Sequence, residues 1–79
     1  MDREYIIFGR ESCPFCVKAK TLLNERNKTF QFLDLEEEEE VLLEIKEYYN
    51  HFTVPIVLKR DEHFNWSIVG GYDELKNTF

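Results

Sequence analysis

The sequence predicts an α/β fold: a three-layer α/β/α sandwich around a four-stranded mixed sheet, with elements in the order β-α-β-α-β-β-α. Three observations carry this expectation. Residues 5–35 read as strand, helix and strand in succession, the pattern of a parallel βαβ unit whose crossover is right-handed. Residues 54–69 read as two short strands joined by a polar turn, close enough for an antiparallel hairpin. Finally, 79 residues support one domain, 1–79, in which every apolar stretch must share a single interior.

Tyr5, Ile6, Ile7 and Phe8 form a continuous apolar run of aromatic and β-branched residues that stops at Gly9, as expected of a central strand covered on both faces. Pro14, which suits a first helical turn because its missing N–H is not needed there, opens a helix with Phe15, Ala19, Leu22, Leu23 and Arg26 at helical spacing. A second strand follows over about 29–35, where Phe30, Phe32 and Asp34 alternate with Gln31, Leu33 and Leu35. The five glutamates 36–40 begin a second helix, since acidic residues suit the positive end of the helix dipole. Val41, Leu42, Ile45, Tyr48, Tyr49 and Phe52 supply its apolar face.

The two remaining strands span 54–59 and about 65–69, with a turn around Asp61 and Glu62. Trp66 is expected to be a buried strand side chain. Gly70 and Gly71 then open a last helix with Tyr72, Leu75 and Phe79 at helical spacing.

Composition narrows the functional classes. Apolar residues at 43% and charged residues at 33% are globular proportions. The net charge of −6 argues against nucleic-acid binding, which needs a basic face. The apolar stretch at 5–8 is too short for a signal-peptide core or a membrane span, so a cytoplasmic protein is expected.

In a reducing compartment a lone Cys-x-x-Cys is catalytic or metal-binding more often than structural. Cys13 and Cys16, separated by Pro14 and Phe15, form such a pair. A disulfide between them closes too small a loop to act as a useful staple. Zinc would need two further ligands, and His51 and His63 lie in no finger-like spacing, so both are read as surface histidines and no metal is expected. Cys13 falls where a strand gives way to a helix, and unpaired N–H groups with the dipole's positive end stabilise a thiolate at such a place. Arg10, Lys18 and Lys20 add positive charge nearby. Cys16 lies one turn further in. The pair therefore reads as a nucleophile, Cys13, and a resolving thiol, Cys16.

Three stretches together resemble the glutaredoxins, members of the thioredoxin-like fold: Cys13-Pro14-Phe15-Cys16 after a strand, Thr53-Val54-Pro55 before another, and Gly70-Gly71-Tyr72-Asp73 after a hairpin. The short tail after the glycines is most similar to the compact phage- or virus-type members. The resemblance implies a thiol–disulfide oxidoreductase with glutathione as co-substrate and no permanently bound cofactor. Its partners would be disulfide-bonded or glutathionylated proteins, ribonucleotide reductase among the family-typical candidates, with no membrane association and a monomeric chain.

The resemblance further implies a glutathione site. Val54, preceding a cis Pro55, would pair its backbone with the glutathione cysteine, with Thr53 shaping the loop and Phe15 beside the thiols. Gly71 and the backbone of Tyr72 and Asp73 would receive the γ-glutamyl carboxylate, Asp73 its ammonium, and Arg10 the glycyl carboxylate. Phe15 stands where many members carry tyrosine, and Leu42 where a glutamine or arginine often assists at the glycyl end, with Lys46 one turn away. The competing readings are a thioredoxin-like donor recharged by a reductase enzyme and a metal-binding adaptor.

Overall fold

The apolar run after Glu4 forms β1, Tyr5–Gly9, along which buried and half-buried residues alternate. A computed structural model of the chain describes residues 3–79; Met1 and Asp2, the start of the stretch inspected for a leader, lie outside them. After β1 come α1 (Pro14–Glu25), β2 (Phe30–Asp34), α2 (Glu39–Tyr49), β3 (Ile56–Arg60), β4 (Trp66–Gly70) and α3 (Tyr72–Asn77). The strands form one sheet in the order β2-β1-β3-β4. β1 runs parallel to β2 and antiparallel to β3, and β3 pairs antiparallel with β4. The order of elements and the mixed sheet are those expected.

Strand alternation divides the core. On one face Tyr5, Ile7 and Val57 pack with Ala19 and Leu23 of α1 and Leu75 of α3, flanked by Phe30, Phe32 and Val69. Leu42 of α2 is buried outside that cluster, as are Ile56 and Leu58, so α2 covers the opposite face. In β4 a register irregularity sets Val57 opposite Gly70 but Leu58 opposite Ile68. This bulge leaves Val69 without a partner in the ladder, and such bulges re-aim the chain that follows.

Several boundaries and faces differ from expectation, each for a local reason. α2 starts at Glu39, not Glu36, because Glu36 donates its N–H to the Asp34 carboxylate and Glu38 donates to the Leu35 carbonyl, closing a turn. Of the apolar face assigned to α2 only Leu42 is fully buried, while Val41, Tyr48 and Phe52 are exposed. β3 starts after Pro55, a residue with no N–H to give a ladder. The α1 seam is Cys16, Ala19 and Leu23, which turns Phe15 outward. Trp66 is 39% exposed, because β4 is an edge strand and Trp66 sits at its open end opposite Arg60.

Candidate active site

Cys13 is the N-cap residue of α1, in extended conformation, with Pro14 opening the helix. Its N–H closes a turn onto the Arg10 carbonyl at 3.2 Å, and its own carbonyl accepts from the Cys16 and Val17 N–H groups at 3.1 Å. The thiol is partly exposed and points at the Val54 carbonyl, 3.8 Å away. The Val54–Pro55 peptide bond is cis.

One turn into α1, Cys16 is wholly buried. Burial pushes its thiol up to about 12; the Arg10 backbone N–H, which hydrogen-bonds to it, opposes the rise, the hydrogen bond and charge of Cys13 add to it, and Lys20 lowers it slightly. One thiol of the pair is therefore accessible and the other is held protonated beneath it.

A groove of about 440 Å³ lies beside Cys13, within the size range of small-molecule sites. Thr53, Val54 and Pro55 form one wall, Gly71, Tyr72, Asp73 and Glu74 the other, and Phe15 an end. The Phe15 ring, half exposed, stands tilted to Tyr72 with centroids 6.1 Å apart, and the Lys18 ammonium lies 4.9 Å from its centroid. Seven of the residues singled out in the sequence thus share one groove. Arg10 is not among its lining residues; it precedes Cys13 on the incoming loop, near enough to Glu36 to help hold that carboxyl charged. Leu42 is a core residue, only 1% exposed, so that position cannot assist at a glycyl carboxylate.

Four residues here were not singled out as part of the site. Glu74 accepts the Gly71 N–H at 2.7 Å, bracing the groove wall from within α3. Its spacing, three residues after a helix-cap position, is half of a capping box and was the available signal. His51, expected at the surface, is half-buried, with Nε2 3.3 Å from Thr53 Oγ1 and against the Gly71 backbone; no local pattern announces this. His63 does lie exposed at the hairpin tip.

Asp34 and Glu36 clasp the loop that carries Cys13. The Glu11 N–H donates to Asp34 at 3.2 Å and the Ser12 N–H to Glu36 at 3.0 Å, while Leu35 donates to the Gly9 carbonyl at 2.8 Å. Hydrogen bonds from the Ser12 hydroxyl and N–H, aided by Arg10, hold the Glu36 carboxyl below its usual range. Among the described residues, no three His, Cys, Asp or Glu side chains are grouped so as to hold a metal ion, and no helix is long and apolar enough to cross a membrane.

Residues 5–64 match the family model described as Glutaredoxin. The chain is 36% identical over 76 residues to glutaredoxin 1 of Rickettsia typhi, an alignment covering 91% of this chain and 66% of that protein. The same identity and extent hold for glutaredoxin 1 of Rickettsia prowazekii, of which 73% is covered. Among solved structures, a dithiolic glutaredoxin from Trypanosoma brucei brucei superposes with a TM-score of 0.75 at 29% identity, over 95% of this chain and 75% of that one.

Proposed function

The chain belongs to the glutaredoxin family of thiol–disulfide oxidoreductases, and on that footing we propose that it reduces protein disulfides and glutathione mixed disulfides through Cys13 and Cys16, with glutathione as the electron source. The observation that carries this reading is the asymmetry of the pair: Cys13 is partly exposed against the carbonyl of Val54, a residue of the groove wall, while Cys16 is fully buried one turn behind it.

In the proposed reaction the Cys13 thiolate attacks one sulfur of a substrate disulfide, and the other sulfur leaves as a thiolate that takes a proton from water. Cys16 then gives up its proton, attacks Cys13 Sγ and releases the second substrate thiol. The substrate gains two electrons and two protons, and a Cys13–Cys16 disulfide remains. Two glutathione molecules reduce it and depart as glutathione disulfide.

Mixed-disulfide formation also removes the charge of Cys13 and its thiol hydrogen bond, two of the influences that raise Cys16. The resolving thiol thereby becomes easier to deprotonate only once it is needed.

Glutathione is assigned to the groove in an extended pose. The Val54 backbone would pair with its cysteine, Thr53 and Pro55 would shape that wall, and the Phe15 and Tyr72 rings would flank it. Gly71 and the backbone of Tyr72 and Asp73 would take the γ-glutamyl carboxylate, the exposed Asp73 side chain the ammonium, and Arg10 the glycyl carboxylate. A monomer in the reducing cytoplasm, acting on disulfide-bonded or glutathionylated proteins such as ribonucleotide reductase, fits this chemistry.

The test supplies a glutathione mixed disulfide, glutathione and glutathione reductase as the only electron source. Turnover that disappears in Cys13→Ser and persists in Cys16→Ser is the expected result. Absence of turnover by the native protein, with the dithiol still reduced by a thioredoxin-type reductase, would overturn the glutathione reading in favour of a reductase-fed donor.

A further inference from the structure

Gly9 ends β1 directly beneath the resolving cysteine. A Cβ placed on Gly9 would lie 2.5 Å from Cys16 Sγ, with the Cys16 Cβ at 3.4 Å and Phe32 Cε1 at 3.3 Å. The thiol, the end of its side chain, would have to swing away from 2.5 Å towards the 3.4 Å of ordinary contact, and because Cys16 is wholly buried it would swing within the core it shares with Ala19 and Leu23, out of its present seat. The same sulfur receives a hydrogen bond from the Arg10 backbone N–H, and it is hydrogen-bonded to Cys13. Three neighbours therefore define one seat for Cys16 Sγ: the bare Cα of Gly9, the next residue's N–H, and the thiol it must attack.

We propose that Gly9 is the positioning residue of the resolving step, its missing side chain being what lets Cys16 Sγ sit within reach of Cys13. A side chain at residue 9 would turn the dithiol protein into one that works through Cys13 alone. The inference rests on the resolving role proposed for Cys16 and adds a residue outside the Cys-x-x-Cys motif that decides between the two routes. No change in the chemistry of the first attack is involved, because Cys13 is held by Arg10 and the start of α1. Only formation of the Cys13–Cys16 bond, with release of the second substrate thiol, is affected.

The test compares native protein, Gly9→Ala, Cys16→Ala and the double variant in two assays. Reduction of a protein disulfide such as that of insulin requires both thiols. Reduction of a glutathione mixed disulfide requires Cys13. A misplacement of about 1 Å in a reacting group costs on the order of 10²-fold, so Gly9→Ala is expected to lose insulin reduction to about that extent while keeping mixed-disulfide reduction within a few-fold. In the Cys16→Ala background, where Sγ is gone and the nearest remaining contacts are 3.3 Å to Phe32 and 3.4 Å to the Cβ of residue 16, adding Gly9→Ala is expected to leave mixed-disulfide turnover unchanged and to lower the melting temperature less than it does with Cys16 present.

Insulin reduction at the native rate by Gly9→Ala overturns the proposal, and so does an equal loss of mixed-disulfide turnover in both backgrounds. If Gly9→Ala alone fails to fold and the double variant folds, the clash with Sγ is established; if neither folds, Gly9 serves the sheet and the proposal falls. Should Cys16→Ala itself reduce insulin normally, it is the resolving role of Cys16 that fails, a result independent of residue 9.

Discussion

Selective alkylation of the reduced protein gives a direct measure of the asymmetry between the two thiols. At pH 8 a thiol titrating at about 12 is thiolate in about one molecule in ten thousand, against about one in four for an ordinary thiol near 8.5, a ratio of roughly two thousand. A more basic thiolate is also a better nucleophile, with a Brønsted slope of about 0.4–0.5, which returns a factor of about 40 and leaves roughly 50-fold. Burial slows the reagent further, since Cys16 has no exposed surface. Because burial is also the largest cause of the raised value, the protection outlasts alkylation of Cys13.

Iodoacetamide labelling over time at pH 8, read by fragment ions that separate Cys13 from Cys16, should therefore show Cys16 reacting at least about 50-fold more slowly in the folded protein than in urea. Cys13 should label readily in both. Labelling of folded Cys16 within tenfold, roughly, of its rate in urea would refute the reasoning, because neither burial nor the raised thiol would then be protecting it.

Three further outcomes are expected. Since folding raises the Cys16 thiol, the protonated form is the one stabilised: the contribution is whole below about 8.5 and is lost as pH rises towards about 12. Urea unfolding of native protein and Cys16→Ser should accordingly show the stability difference shifting against the native protein above about pH 9, and a pH-independent difference would contradict it. Leu75→Ala removes a fully buried side chain that fastens α3 to the main core and should cost about 2–5 kcal/mol in urea denaturation; a cost under about 1 kcal/mol would mean α3 is not seated as described. Gly70→Ala should destabilise by more than about 1 kcal/mol, because Gly70 has φ +126° and its Cβ would meet Glu74 at 2.7 to 2.9 Å. Gly71→Ala, whose nearest contacts would be 3.4 to 3.6 Å, should be close to neutral by the same melting measurement, and the reverse order would contradict this account of the two glycines.

The order of elements could be read from the sequence because apolar runs and breakers are local: residues 5–8 end at a glycine, and the helix after Cys13 begins at a proline. What depended on distant partners could not be read. The first three glutamates of the run look like a helix start, yet Glu36 is turned towards Ser12, 24 residues away. Trp66 looks like a core residue, but nothing local says that β4 ends the sheet. Phe15 has the spacing of a core residue, and only the Cys16, Ala19, Leu23 seam shows which side of α1 faces inward. The groove residues were visible through the family resemblance and Glu74 through its capping-box spacing from Gly71, whereas His51 became visible only when Thr53 and Gly71 were brought together.

Cys13 follows β1, Val54 precedes β3, and Gly71 follows β4, so the thiols and the far wall of the groove are neighbours only while β4 and α3 stay docked. The thiol pair itself travels with α1. Partial detachment of β4 and α3 would leave the dithiol without the groove wall proposed above to hold glutathione. If the groove selects the substrate as proposed, discrimination among disulfides should on warming fade before thiol reactivity does, and the edge strand would then keep fidelity more than chemistry.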